Sequence, residues 1–163
     1  MPTTQLITDT VIRDALLSAV QNVCRTMMRC DATVGPSDPE QSGAPGLISS
    51  VGFGGAVSGV VYLCLEDDFA VHATGKILGL SAPEIRLHGF EVMKDAIGEV
   101  TNMIAGGFKN KLCDLGFPCM LTLPTIMRGQ HLTVVTLKGT EHHVFNFAVD
   151  GHRMIAEVQI KAE

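Results

Sequence analysis

Residues 90–109 decide the fold, and they read Phe90-Glu91-Val92-Met93-Lys94-Asp95-Ala96-Ile97-Gly98-Glu99-Val100-Thr101-Asn102-Met103-Ile104-Ala105-Gly106-Gly107-Phe108-Lys109. At about 100° per residue, the large apolar side chains of this stretch fall within roughly a third of a helix circumference. They predict a long helix that packs on a hydrophobic core. Its core stripe is Phe90, Met93, Ile97, Ile104 and Phe108, continued by Leu112.

A line of polar residues lies opposite that stripe. Asp95, Glu99 and Asn102 are spaced i, i+4 and i+7, which places them within about 60° of one another and predicts that they face solvent together. Any soluble helix needs a solvated face, but like charges four residues apart and a mid-helix asparagine both weaken a helix. Gly98 and Gly106 also weaken it, and they leave little side-chain bulk beside the line. We therefore interpret the five residues as a candidate site that a partner's backbone can approach.

The sequence upstream of this helix predicts where its helical segment begins, and it predicts two further helices. Ser81 and Glu84 form a capping-box pattern that starts a helical segment running to about Asp114. Upstream, apolar residues at helical spacing predict helices over Asp9 to Met28 and over Asp67 to Leu80, with Gly79 as a stop signal.

The remaining apolar runs predict strands. Leu47 to Phe53 and Val57 to Leu65 flank Gly54-Gly55 and predict a hairpin. Four later runs predict a meander: Leu121 to Met127, Leu132 to Leu137, Val144 to Val149 and Met154 to Ile160. The Pro- and Gly-rich stretch from Gly35 to Gly46 predicts a mobile loop. We expect an α+β fold, with long helices packed on a mostly antiparallel sheet of about six or seven strands.

Composition narrows the possible functions. A chain of 163 residues with 46% hydrophobic and 18% charged residues predicts one globular domain over residues 1–163. A net charge of -5 without basic blocks argues against nucleic-acid binding. No apolar run approaches a membrane span and no signal peptide is apparent, so we expect a cytoplasmic protein without membrane association. Five cysteines without a CxxC pair predict reduced, mostly packed thiols.

The pattern Asp95-x-x-x-Glu99-x-x-Asn102, continued by Met103-Ile104-Ala105-Gly106, resembles the signature helix of the CheC/CheX/FliY phosphatases, which act on phosphorylated CheY. Most of the chain follows the CheX order of elements. Glu99 is the only glutamate with an asparagine three residues later, and this single copy is similar to CheX, a dimer of single-site subunits, rather than to two-site CheC. The family pattern places a proline about one residue farther from the asparagine than Pro124, and often an asparagine near Gly107.

This resemblance implies a function and roles for the site residues. The substrate would be the aspartyl phosphate of a CheY-like response regulator, with Asn102 orienting the attacking water. Glu99 would bind the regulator's lysine, and Asp95 would contact the regulator at the edge of the site. The protein would need no metal or other cofactor of its own, because the regulator supplies the divalent ion, Mg²⁺. It would form a homodimer, in which an edge strand of the terminal region could pair across a two-fold axis.

Three alternatives stay open from the sequence. A metal site could form from the histidines of the last third, although their spacing matches no ligand motif. Cys113 could be a nucleophile, although it lies near a helix C-terminus, which disfavours a thiolate. A CheX-like module could also bind a receiver domain or a flagellar switch component without catalysis. The histidines concerned are His131, His142, His143 and His152.

Overall fold

The computed structural model describes residues 7–35 and 45–162. Within these ranges, four helices and seven strands follow one another. The predicted loop from Gly35 to Gly46 falls largely outside the described residues. The elements are α1 Asp9–Met28, β1 Ala32–Val34, β2 Leu47–Gly55, β3 Val57–Leu65, α2 Asp67–Leu78, α3 Ala82–His88, α4 Phe90–Asp114, β4 Cys119–Leu121, β5 Thr125–Arg128, β6 Glu141–Val149 and β7 His152–Ala162.

The strands form one antiparallel sheet, which confirms the predicted α+β class. Its order is β1-β6-β7-β3-β2-β4, and β5 pairs with β2 beside β4. The predicted hairpin of β2 and β3 is present, with Val51 opposite Val61. β7 joins it to the second hairpin by placing Val158 opposite the same Val61.

The helices cover one face of this sheet. Val51, Val61 and Val158 are fully buried and belong to the same hydrophobic cluster as Ile97 and Ile104 of α4. The predicted core stripe of α4 is confirmed: five of its six members are buried, and Phe90 is half-buried at the helix start. The opposite face of α4 is therefore left for solvent. Within the described part of the chain, no helix is long and apolar enough to cross a membrane.

The predicted helices are present, with one break, and α2 ends at Leu78 rather than at the predicted Leu80. Ser81 and Glu84 form both bonds of the capping box, and Gly79 ends α2 in the left-handed conformation at φ 70°. The segment from Ser81 to Asp114 is not one helix, because Gly89 adopts φ 83° and ψ −170° and separates α3 from α4. A residue with a side chain would rarely adopt this φ. The break lets α4 begin at Phe90 in its own direction.

The predicted four-strand meander is wrong in two places. The run from Leu121 to Met127 is split into β4 and β5, and both pair with β2 rather than with β6. Pro124 lies at the split. Proline has no N–H to donate to a β-ladder, so the strand pairing is interrupted there. The run from Leu132 to Leu137 is irregular. The short β1 was not predicted at all.

The side chain of Gln159 explains why the Leu132–Leu137 run is not a strand. Its Oε1 accepts the Leu137 N–H at 2.9 Å, and its Nε2 donates to the Val135 carbonyl at 2.8 Å. Gln159 is fully buried in β7. It therefore pairs with the backbone of this segment as a neighbouring strand would, and the segment crosses the sheet face that carries no helices.

Candidate functional site

The predicted polar line lies on the solvent side of α4. Asp95 and Glu99 are exposed, and Asn102 is half-buried. Across the described ranges, none of the three side chains makes a hydrogen bond or an ion pair. Two carboxylates and one carboxamide are thus free to bind groups of another molecule. Glu91 lies on the same side by helical periodicity, so the line is acidic over its first half.

A buried hydrogen-bonded pair holds α4 on the sheet next to this line. Thr101 and Ser49 of β2 are both fully buried, and their hydroxyl oxygens are 2.6 Å apart. The Thr101 hydroxyl also donates to the Ile97 carbonyl at 2.8 Å. Because a hydroxyl has a single proton, Ser49 must be the donor to Thr101. The pair fixes the rotation of α4 one residue before Asn102.

Gly107 allows a second close contact of α4. A Cβ atom at this position would lie 3.1 Å from the Ala19 Cβ, so α1 and α4 approach closely at two small residues. A side chain here would require this contact to open by a few tenths of an ångström. This contact gives a physical reason why this chain departs from the family pattern near Gly107.

Gly98 is packed against a neighbouring part of the chain. The glycine is buried, and a Cβ at this position would meet Ile126 Cδ1 at 3.4 Å and Pro124 Cβ at 3.7 Å. The space beside it is therefore filled by Pro124 of the β4–β5 connection and by Ile126 of β5, and this packing gives one reason for the glycine. Contact of a partner with Gly98 stays a prediction. Gly106 is half-buried, with Leu121 Cδ1 at 3.9 Å from its absent Cβ. Contact of a partner with Gly106 stays a prediction.

The four C-terminal histidines do not converge on one site. His142 lies 3.0 Å from Glu157 and 2.7 Å from Thr136, whereas His152 stacks on Phe69. His143 lies near Asp9 and Glu141, with three potential ligand atoms within 4.8 Å of one another. Both carboxylates are exposed, and the group contains only one of the four histidines. The arrangement does not support the histidine metal site considered from the sequence.

The cysteines do not form a reactive centre. All five are free, which confirms the predicted thiols. Burial raises the pKa of Cys24 and of Cys64 to about 12. The Cys113 Sγ is 3.9 Å from the carbonyl oxygen of Cys119, another thiol whose pKa is raised mainly by burial. No histidine or other base approaches Cys113 among the hydrogen bonds of the described residues.

A surface cavity lies elsewhere on the molecule. It has a volume of about 750 Å³ and lies against α2 and α3, with Lys76, Arg86 and two histidines in its lining. None of the polar-line residues lines it. The polar line is an open helix face, which suits a macromolecular partner better than a small enclosed substrate.

Sequence reasoning missed Ser49, Thr101 and Leu123. The first two gave a signal, because each is a polar residue at a core-facing position of an otherwise apolar segment. Leu123, on the connection between β4 and β5, is 86% exposed. Its signal was the neighbouring Pro124, which interrupts an apolar run that had been interpreted as one continuous strand.

Comparisons with known proteins show the family and the fold. The family model described as chemotaxis phosphatase CheX matches residues 47–148, more than half of the chain. The fold is similar to a CheC-like superfamily protein from Shewanella sp. PV-4, with a TM-score of 0.80 and 21% identity over 94% of this chain and 99% of that one. It is also similar to the chemotaxis protein CheX from Vibrio vulnificus, with a TM-score of 0.78 and 20% identity over 97% of this chain and 100% of that one.

A third similar structure is the CheX–CheY–BeF3–Mg²⁺ complex from Borrelia burgdorferi. The TM-score is 0.73, with 22% identity over 92% of this chain and 97% of that one. A search of curated protein sequences finds no match. At these identities the solved structures support the fold, and the family model supports the family.

Proposed function

This chain belongs to the CheX family of chemotaxis phosphatases, and we propose that it hydrolyses the aspartyl phosphate of a phosphorylated CheY-like response regulator. The observation that carries the proposal is the line of Asp95, Glu99 and Asn102, which share one face of α4 and have no side-chain partners within the described residues. The Borrelia burgdorferi complex, in which a CheX is bound to CheY, supports a partner of this kind.

The chemistry requires orientation more than activation. An aspartyl phosphate is a reactive acyl phosphate, so a water held in line with the phosphorus–oxygen bond lowers the barrier chiefly through positioning. The water oxygen bonds to phosphorus as the bond to the aspartyl oxygen breaks. The aspartate leaves as a carboxylate, and the water proton goes to the phosphate that is released.

Asn102 suits the positioning of this water. A carboxamide is not a base at neutral pH, but its oxygen accepts a hydrogen bond while its NH₂ group donates one. Glutamine performs the equivalent task in GTPases. The half-buried position of Asn102 and the Thr101–Ser49 bond beside it restrict the motion of the α4 backbone that carries the carboxamide.

Glu99 suits the recognition of the regulator. Its carboxylate is exposed, lies one helical turn before Asn102, and has no cation bound to it in the described part of the molecule. A lysine beside the regulator's phosphoryl group would form a charge-assisted hydrogen bond with it. Asp95, one turn farther, would contact the rim of the regulator's pocket. The divalent ion, Mg²⁺, would come from the regulator, and the reaction would take place in the cytoplasm.

The experiment is to mix catalytic amounts of the protein with a CheY-type regulator of the same organism, phosphorylated with acetyl phosphate and freed of excess donor, and to follow loss of phosphate. Wild type should accelerate the decay, and Asn102→Ala should not. Glu99→Ala should raise the regulator concentration needed for half-maximal rate. If wild type leaves the decay unchanged, the chain is better explained as a non-catalytic module that binds a receiver domain or a flagellar switch component.

We also propose that the protein is a homodimer. Three exposed apolar side chains, Val135, Leu137 and Val144, lie on or over the sheet face that carries no helices. Burial of these side chains against a second copy would remove them from water. Sedimentation velocity should give twice the mass of 17.4 kDa, and a monomeric mass at micromolar concentration would contradict the proposal.

A further inference from the structure

The edge strand beside α4 contains a β-bulge. Thr122 lies opposite Gly52, because its N–H donates to the Gly52 carbonyl at 2.8 Å and its Oγ1 accepts the Gly52 N–H at 2.9 Å. Thr125 lies opposite Ser50. Only Val51 is left between Gly52 and Ser50, so two residues, Leu123 and Pro124, oppose one. This two-to-one arrangement is a bulge, a feature that re-aims side chains and is common beside functional sites.

The bulge breaks the alternation of side chains along this edge of the sheet. Side chains alternate between the two faces of a strand, and Leu121 and Ile126, on either side of the bulge, both approach glycines of α4. Thr122 and Thr125 lie on the other face, where Thr125 pairs with Ser50. The extra residue breaks this alternation between Thr122 and Thr125, and Pro124 lies on the α4 face beside Gly98.

The bulge lies alongside Asn102. Leu121 is next to Gly106, and Pro124 is next to Gly98, one helical turn on either side of Asn102. Eight residues of helix span about 12 Å, and the three residue steps from Leu121 to Pro124 span about 10 Å when extended. The connection therefore runs antiparallel to α4, and its middle is at the level of Asn102.

Leu123 is exposed although its surroundings are fixed. The residue is 86% exposed, whereas Thr122 before it is bonded to β2 and Pro124 after it packs on Gly98. A large apolar side chain is thus held in water at a defined place beside the polar line. Holding it there gives the isolated chain no burial, and covering it with a partner's apolar surface would remove it from water.

We infer that Leu123 is the apolar anchor with which the protein docks the receiver domain of its phosphorylated regulator, next to the polar line that acts on the phosphoryl group. The inference rests on the proposed function and names a second contact of the same site. It would contact an apolar part of the receiver's surface next to the phosphorylation pocket, because a receiver seated over Asn102 would extend past both sides of α4. Asn102 and Glu99 would supply the chemistry and register, and Leu123 would supply binding.

The test measures binding and turnover separately, with matched variants. The binding probe is the CheY-type regulator activated with beryllium trifluoride and Mg²⁺. Leu123→Ala should raise Kd by roughly 5- to 50-fold, the loss expected when most of a buried leucine side chain is removed, and should raise KM by the same factor. Leu123→Met keeps volume and apolarity and should restore most of the affinity. The control is Leu87→Ala, because Leu87 on α3 is a leucine of nearly the same exposure, 87%.

The outcomes separate this inference from the proposed function. If Leu123→Ala binds and turns over like wild type while Asn102→Ala is inactive, the anchor is wrong and the phosphatase stands. If Leu123→Ala and Leu87→Ala weaken binding equally, the anchor is also wrong. If Leu123→Ala changes the sedimentation mass and not the affinity for the regulator, Leu123 contacts a second copy instead. If wild type does not bind the activated regulator, both proposals fall.

Discussion

Asn102 is one residue away from the buried pair that fixes its helix, and it has no side-chain partner in the described part of the chain. The two facts belong together. A carboxamide that bonded to its own protein could not bind water for a reaction, and a carboxamide on a loose helix would not hold that water in line. The residues around Asn102 restrict its backbone while leaving its polar atoms free.

A substitution at Gly98 tests whether this glycine is needed for packing within the chain or for contact with a partner. Gly98→Ala introduces a Cβ that meets the end of the flexible Ile126 side chain at 3.4 Å, while alanine favours a helix by up to about 1 kcal/mol over glycine. We expect the unfolding free energy to stay equal or to rise by up to about 1 kcal/mol in urea denaturation. Phosphatase activity should be retained.

The informative contradiction for Gly98 is loss of activity without loss of stability. That result would mean that the partner approaches this position, as the sequence analysis proposed. Gly107→Ala is the matched control, since its Cβ would meet the Ala19 Cβ at 3.1 Å in the contact with α1. The two glycines cost the same in an isolated helix, so different effects on stability would come from packing.

At the scale of elements, the Ser49–Thr101 bond joins α4 to β2, and β2 also pairs with β4 and β5. The polar line and the bulge that carries Leu123 are therefore both positioned by one strand, β2. A small rotation of α4 on this strand would move Asn102 relative to Leu123. This arrangement explains why a polar pair lies in an otherwise apolar layer.

Thr101→Val should reduce both stability and turnover. The substitution keeps the shape but leaves the buried Ser49 hydroxyl without its acceptor, at a cost of about 1–3 kcal/mol. The Ser49→Ala/Thr101→Val double variant, which leaves no buried hydroxyl at either position, should cost less than the sum of the two single variants. Denaturant unfolding measures the stability.

The kinetic part of this prediction separates positioning from stability. Below the unfolding transition, Thr101→Val should lower kcat with little change in KM, and Thr101→Ser, which keeps the hydroxyl, should restore kcat. If Thr101→Val loses stability while kcat stays at the wild-type value, the pair has only a structural role. Val100→Ala is the control, because Val100 is a buried residue of the same helix. This variant should lose stability without a selective loss of kcat.

The elements of this fold were largely predictable, because helix periodicity, the Ser81–Glu84 capping box and Gly79 act within a few residues of one another. The long-range pairings were not. Pairing of Thr125–Arg128 with β2 joins residues about eighty positions apart, and no local pattern encodes it. Leu132–Leu137 has the composition of a strand, but its backbone is bound by the Gln159 side chain. The polar line itself was predictable, since three residues on one helix need only periodicity.

At the scale of the whole molecule, Asp150 joins the helical layer to the turn between β6 and β7. Its carboxylate lies 3.0 Å from His72 Nε2 and 3.3 Å from Lys76 Nζ of α2. The hydrogen bond from His72 is the main cause that lowers the pKa of Asp150 below its usual value. Asp150 adopts φ 50°, which asparagine also tolerates, so Asp150→Asn removes the charge without straining the turn.

Asp150→Asn should lower stability in a pH-dependent way. Because the folded-state pKa is below the unfolded one, the charged form contributes stability above about pH 4, and this contribution is lost as the pH falls through the folded pKa. At pH 7 the variant should lose less than about 1 kcal/mol, as expected for a partly exposed ion pair. Thermal unfolding from pH 7 to pH 3 should show the two proteins converging at acid pH. A constant difference across that range would contradict the electrostatic explanation, and Asp31→Asn at the exposed Arg25–Asp31 pair is the control.

The central claim is that Asn102 contributes to hydrolysis and not to docking. The most direct measurement compares Asn102→Ala with wild type in two assays on the same CheY-type regulator: affinity for the beryllium trifluoride-activated form, and single-turnover loss of phosphate at saturating protein. We predict an affinity within about twofold of wild type and a hydrolysis rate at least about 10²-fold lower, the loss expected when a positioned water is no longer held. An Asn102→Ala protein that hydrolyses the phosphate at the wild-type rate, or that no longer binds the activated regulator, would contradict the claim.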